Sequence, residues 1–222
     1  KTGGLADVTF ALTAYLDAKG HDVRLLMPFY ASIEEGALEI EAVPQLQGME
    51  MEVGGRTHHF WIVRARLNAD SPWIYLLQCP ELFSGEQLYG GDDEHIRFVL
   101  LTRAAIEMCQ RLHFRPDIFH CHDWHTALLP VFLTTAYAWD ELFKDTKTVL
   151  TIHNIGYQGV FGNEVLGAIG LEYSTDFLDP EDLYEGRINF MKAGVMHADL
   201  LTTVSPTYAR DVLDAEYGMG LE

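Results

Sequence analysis

PDIFHCHDWHTALLP, residues 116–130, holds the pattern that decides the fold. Pro116 and Asp117 break the preceding chain, and the run up to His122 reads as a strand whose far end carries His122 and Asp123. TALLPVFLTTAY, from Thr126 to Tyr137, then has helical spacing, interrupted by Pro130 near its start. The same grammar returns twice. TKTVLTIHNI (146–155) is a strand ending in His153 and Asn154, and ADLLTTVSPTYARDVL (198–213) is a strand followed by Ser205-Pro206, which opens a helix. Strands alternating with helices predict an α/β fold with a mainly parallel sheet. The carboxyl ends of such strands form one rim, and ligands bind in the crevice outside it. His122, Asp123, His153, Asn154 and Ser205 are therefore expected on that rim.

The amino-terminal stretch KTGGLADV (1–8) is expected there too. A glycine pair before a helix lets backbone approach a ligand closely and leaves N–H groups pointing at it, and Lys1 adds a charge suited to an anion. Apolar and small residues from Leu5 to Leu16 recur at helical spacing, and Gly20 follows where a left-handed residue ends a helix, so the helix is placed at Leu5 to Lys19. HDVRLLMPFY (21–30) gives a strand over Val23 to Met27, stopped by Pro28. Loop, helix and strand make most of a βαβ unit without its first strand. The expectation is a fragment in which the strands at 23–27 and 118–122 flank a vacant central position or close over it with distortion. Residues 37–79 read as a β-rich insertion or sheet edge, with a hairpin turned at Gly54-Gly55 and a further strand in WIYLLQCP (73–80). DEHIRFVLLTRAAIEMCQRL (93–112) carries a helical period.

Composition removes several function classes. At 222 residues and 48% hydrophobic, the chain can bury a substantial core. Its formal net charge of -18 argues against nucleic-acid partners, which need a positive footprint. No stretch approaches a membrane span and no signal peptide is visible. Cys79, Cys109 and Cys121 lack disulfide or zinc-ribbon spacing and fit a reducing compartment. His120, Cys121, His122, Asp123 and His125 invite a metal reading, yet alternation puts His120 and His122 on one face and Cys121 and Asp123 on the other. The preferred reading makes His120 and Cys121 buried strand residues; a metal-dependent hydrolase on His120, His122 and His125 is the competing one. Ser205 precedes proline with no G-x-S-x-G elbow, which weakens a serine hydrolase, and no Walker loop is present.

KTGGLADV, HCHDWHTALLP, TIHNIGYQGVF, GRINFMKAGVMHADLLTTVSPTYARDV and EYGMGLE, taken together and in this order, resemble the amino-terminal half of bacterial glycogen synthases and plastid starch synthases. The resemblance runs from Lys1 to Glu222 and is least specific between Glu34 and Pro80. It implies the amino-terminal Rossmann-like domain of a GT-B fold, with helices on both faces of the sheet and a β-rich hairpin insertion, lacking its first strand and the carboxy-terminal domain. It further implies transfer of glucose from ADP-glucose to the non-reducing end of an α-1,4-glucan (glycogen or starch), with retention, no cofactor and no metal ion. The compartment implied is the bacterial cytoplasm or the plastid stroma.

Residue by residue, the resemblance implies that Lys1 contacts the nucleotide-sugar phosphates, with Gly3 and Gly4 offering backbone donors, and that Asp7 is a donor-site aspartate. His153 and Asn154 would grip the glucosyl unit, Asp123 would orient nearby groups, and Tyr89 in LYGGDD would face the acceptor. Taken without the resemblance, Asp7 is a first-turn carboxylate and Tyr89 an exposed loop tyrosine. The sequence departs from the family pattern at Thr13, where proline is usual, and at Asp93 to Phe98, where D-N-x-x-R-F is usual and Glu94 replaces an amide with a charge. A non-catalytic nucleotide-sugar or glucan-binding module is the alternative function.

Overall fold

The computed structural model describes residues 4–33, 35–85 and 88–222. The chain forms two compact units: one reaches to Arg97, and the other runs from Phe98 to Glu222 and includes the turn Val53–Gly55.

In the first unit, helix α1 (Gly4–Ala18) leads into strand β1 (Leu25–Pro28), as the apolar spacing predicts. Thr13, standing where proline was expected, is buried and donates its hydroxyl to the Thr9 carbonyl at 2.8 Å, the back-bonding that helices tolerate with a slight bend. β1 then joins β2 (Glu39–Ala42), β3 (Met49–Val53), β4 (Arg56–Arg66) and β5 (Ile74–Gln78) in one sheet, ordered β1-β5-β4-β2 with β3 paired to β4. β1 runs parallel to β5, while β4 is antiparallel to both β5 and β2. The β-rich stretch thus extends a parallel pair with antiparallel neighbours. In β3 the side chains alternate strictly, with Met49, Met51 and Val53 buried and Glu50 and Glu52 exposed. The β3–β4 hairpin turns at Gly54 and Gly55, with φ of +66° and +68°, a backbone that residues with a Cβ rarely adopt. Val63, Ala65 and Leu76 form a core patch against Met27, Phe29 and Ile40. Short helix α2 (Pro80–Phe83) follows β5, and helix α3 (Glu94–Arg111) carries the chain from one unit to the next.

The second unit is built on the pattern of the opening stretch. β6 (Ile118–His122), β7 (Lys147–Ile152) and β10 (Leu200–Thr203) form a parallel sheet in the order β10-β7-β6. After β6 the expected single helix is two: α4 (Asp123–Thr126) and α5 (Leu129–Thr134), with Pro130 in the first turn of α5. Proline lacks the N–H that a helix interior uses, so it suits this start and cannot continue α4. Between β7 and β10 lie the antiparallel ribbon β8 (Val160–Gly162) with β9 (Arg187–Asn189), short helices α6 (Leu166–Ile169) and α7 (Pro180–Tyr184), and helix α8 (Phe190–His197). α8 packs on α4 and α5, and Gly194 permits the approach: a Cβ there would stand 2.6 Å from the Ala127 carbonyl oxygen. Helix α9 (Pro206–Asp211) closes the unit, capped by Ser205, whose hydroxyl accepts from the Tyr208 amide at 3.1 Å. Ser205 is thereby a helix cap.

β1 is an edge strand of the first unit's sheet and β6 an edge strand of the second unit's. No helix among the described residues is long and apolar enough to cross a membrane.

Candidate functional site

In the second unit, parallel pairing of β6 with β7 sets His122 opposite Thr151, which brings the loop after β7 against the first residue after β6. That residue is Asp123, buried at 7% exposure and held at φ +54°. Its Oδ1 accepts from the His153 amide at 2.7 Å and the Asn154 amide at 3.2 Å. Burial pushes its carboxyl above the ordinary range; the two amides and His153 pull the other way, and burial dominates. Asp123 is thus a positioning group that fixes the backbone bearing His153 and Asn154.

Two further side chains complete the loop. The Ile155 amide donates to the Tyr208 hydroxyl at 2.9 Å, and the Gly156 amide to Asn154 Oδ1 at 2.9 Å. Four consecutive N–H groups, 153 to 156, are therefore all satisfied within the protein. At this loop the His153 ring is partly buried and the Asn154 side chain is exposed. Beyond it, Gly159 (φ +65°) lies flat on Trp124, where a Cβ would meet the indole at 2.3 Å.

The His153 ring is itself held. Its Nε2 lies 3.0 Å from His122 Nδ1, and the His122 ring stacks on His120 with centroids 4.3 Å apart. His120 Nε2 contacts Thr151 Oγ1 at 2.6 Å, which contacts Thr202 Oγ1 at 2.6 Å. The chain of contacts runs from the rim into the sheet. Burial, with His120 and His153 nearby, pushes His122 down to about 3, and burial lowers His120 as well. Both rings are therefore neutral near pH 7, and the 3.0 Å contact joins one N–H donor to one lone pair.

Strand alternation puts His120 and His122 on one face and Cys121 on the other, but of the two expected buried strand residues Cys121 is buried and His120 is exposed at the edge strand β6. His125 is removed from the strand face onto α4, its ring packed between Phe98 and Trp124 at centroid distances of 4.5 and 4.3 Å. A cavity of about 500 Å³ lined by Tyr137, Lys147, Thr148 and Asp199 opens elsewhere, at the amino end of β7.

The first unit carries the remaining candidates. Gly4 is the first residue of α1 and Asp7 lies in its first turn, while Lys1 and Gly3 lie outside the described residues. Tyr89 is half exposed on the loop before α3. That loop is gripped by α3 itself: Arg97 donates to the Gly90 carbonyl at 2.6 Å and the Leu88 carbonyl at 3.4 Å, and the Gly90 amide donates to Glu94 Oε1 at 2.7 Å. Glu94, the departure from the family pattern, uses its carboxylate to accept from the Gly90 amide, with the Arg97 guanidinium 4.0 Å away to balance its charge. The histidine network, the Tyr208 anchor and the Arg97–Glu94 grip were not foreseen from sequence; each depends on register or on a loop folding back.

A family model described as the starch synthase catalytic domain matches residues 1–222. Glycogen synthase 2 of Geobacter sulfurreducens is 41% identical over 230 residues, covering 100% of this chain and 46% of its own length. The glycogen synthase of Geotalea daltonii is 40% identical, with 100% and 46% covered. Among solved structures, the catalytic domain of starch synthase IV from Arabidopsis thaliana, bound to ADP and acarbose, superposes with a TM-score of 0.87 at 32% identity, over 100% of this chain and 45% of that one. The chain spans about half the length of the relatives it matches.

Proposed function

Because the chain belongs to the starch synthase catalytic domain family, we propose that it is part of a glycosyltransferase that extends an α-1,4-glucan with glucose from ADP-glucose, with retention at the transferred carbon. The observation that carries this reading is the prearranged loop after β7. Asp123 holds the amides of His153 and Asn154, and His122 holds the His153 ring, so both side chains present to the rim without rearrangement. In this reading they grip the glucosyl unit.

The leaving group is a nucleoside diphosphate, and charge developing on it calls for a cation and oriented donors. The loop amides 153 to 156 are already committed. The anion then falls to Lys1 with the Gly3 and Gly4 amides, and Asp7 serves the donor side. A charge-assisted hydrogen bond contributes about 1.5–3 kcal/mol, against about 0.3–1 kcal/mol for a helix dipole at an exposed site. Lys1 is therefore the larger of the two effects. Tyr89 serves the acceptor. The ADP in the Arabidopsis relative supports the nucleotide, and coverage of about half of each relative supports a partner domain elsewhere in the complete protein. Meeting of donor and acceptor across two domains supplies positioning worth roughly 7–11 kcal/mol of barrier.

The test is incorporation of labelled glucose from ADP-glucose into glycogen by an enzyme carrying these residues with the carboxy-terminal half of a relative. His153→Ala is expected to abolish incorporation while ADP binding persists, and Lys1→Ala to weaken ADP-glucose binding. Full incorporation by His153→Ala would overturn the assignment of the glucosyl grip. Glucan binding without any transfer by the unsubstituted protein would establish the binding-module reading instead.

A further inference from the structure

A second cluster of metal-ligating side chains lies in the first unit, on elements that the proposed reaction does not use. β4 and β5 pair antiparallel with Trp61 opposite Gln78. Carried past the end of β5, that register sets position 60 against Cys79 and His58 against position 81. Pro80 turns the chain into α2 at this point, with Glu81 in its first turn. The result is a corner where His58 and Cys79 are buried, at 6% and 1% exposure, and the Glu81 side chain is 55% exposed. One ligand atom from each residue lies within 4.8 Å of the others. His58 Nδ1 stands 2.5 Å from Glu81 Oε1, and Cys79 Sγ stands 3.9 Å from the same oxygen.

We propose that His58, Cys79 and Glu81 bind a zinc ion, with water in the fourth position. The donor set is the ground for choosing zinc: a soft thiolate, an imidazole nitrogen and one carboxylate oxygen are the mixed ligands that a borderline-soft, tetrahedral d¹⁰ ion takes, whereas magnesium and calcium take oxygen alone. Bond lengths of about 2.0–2.1 Å to nitrogen, about 2.3 Å to sulfur and about 2.0–2.2 Å to oxygen place tetrahedral N···O and S···O neighbours roughly 3.4 and 3.6 Å apart. The sulfur–oxygen distance of 3.9 Å is within a few tenths of an ångström of that value. The nitrogen–oxygen distance must open by less than 1 Å, which falls on Glu81, the solvent-facing member and the side through which an ion enters. His58 on β4 and Cys79 just past the end of β5 are both held by burial, with their ligand atoms within 4.8 Å of each other. Bound there, the ion ties the start of β4 to the β5–α2 corner. It stabilises the first unit and takes no part in glucosyl transfer, so the site stands whether or not the transferase reading does.

Cobalt(II) is the probe, since a cysteine thiolate bound to it gives a near-ultraviolet charge-transfer band that oxygen and nitrogen ligands do not. Chelator-treated full chain is titrated with cobalt(II). The expected result is a thiolate band saturating at one cobalt per chain, bleached by stoichiometric zinc, lost in Cys79→Ser and weakened in His58→Gln, but retained in Cys109→Ser and Cys121→Ser. Zinc should also raise the thermal midpoint of the parent and leave that of Cys79→Ser unmoved. No thiolate band in the parent, or a band that survives Cys79→Ser, would overturn the proposal and leave His58 and Glu81 as an ion pair beside a buried thiol.

Discussion

His122 gives the sharpest test of the rim. Burial, with His120 and His153 close by, takes it from an ordinary 6.5 to about 3 in the folded protein. A base whose folded value is depressed binds fewer protons folded than unfolded, so its contribution to stability is fully present above pH 6.5 and is lost progressively as pH falls toward 3. Between pH 7 and pH 5 the loss works out at about 2 kcal/mol, because the unfolded ring charges over that interval and the folded ring does not. The perturbation is His122→Gln, which keeps a polar group beside His153 Nε2 and removes the titration. Urea unfolding at the two pH values should show the parent losing about 2 kcal/mol more than the variant does. Long-range proton–nitrogen spectra of the parent should show the His122 ring still neutral at pH 5. Equal losses in parent and variant, or a His122 ring that charges near 6.5, would refute the reasoning from burial.

Gly159→Ala should destabilise the protein by about 2–5 kcal/mol, since a Cβ at left-handed φ costs about 1–2 kcal/mol and overpacking a ring costs about 1–3 kcal/mol; thermal unfolding with tryptophan fluorescence reads both the loss and the displaced Trp124. In a complete enzyme, Glu94→Ala should raise the KM for a maltooligosaccharide acceptor about fivefold, the worth of one hydrogen bond of about 1 kcal/mol, with little change in kcat. Glu94→Gln, which can still accept from the Gly90 amide, should restore the parent KM, and equal KM values for the Ala variant and the parent would show that the grip on the Tyr89 loop is irrelevant to the acceptor.

The three parallel strands of the second unit could be read from sequence because each carries a short apolar run with polar residues at its carboxyl end, and the hairpin because Gly54-Gly55 interrupts a period-two pattern. The helix over 93–112 was equally plain from its period. What could not be read is register. His120, His122 and His153 meet only because β6 and β7 pair with His122 opposite Thr151, and no local pattern encodes that offset. The same holds for His58 and Glu81, 23 residues apart, the first in the expected hairpin and the second just past the expected strand at 73–80. Side chains that fold back on their own loop escape the sequence for another reason: Arg97 and Glu94 have helical spacing, and only the conformation of Gly90 and Gly91, with φ of +84° and +98°, turns the loop toward them.

Asp123 shows how the rim trades local strain for readiness. A left-handed backbone on a residue with a Cβ costs about 1–2 kcal/mol, and burial of its carboxylate adds to that. Against this stand two hydrogen bonds from the His153 and Asn154 amides to a charged acceptor, each contributing about 1.5–3 kcal/mol. These two bonds offset part of the cost of the strained backbone and the buried carboxyl, and they fix the loop before any ligand arrives. Aspartate and asparagine tolerate this backbone better than other residues with a Cβ, and both offer the acceptor. Asparagine at 123 would therefore keep the geometry and give up the charge, whereas alanine would release both amides into the crevice. Those released donors would form an anion site where the parent has none. ADP affinity should thus fall less in Asp123→Ala than glucosyl transfer does, a separation that calorimetry and the incorporation assay would measure on the same protein.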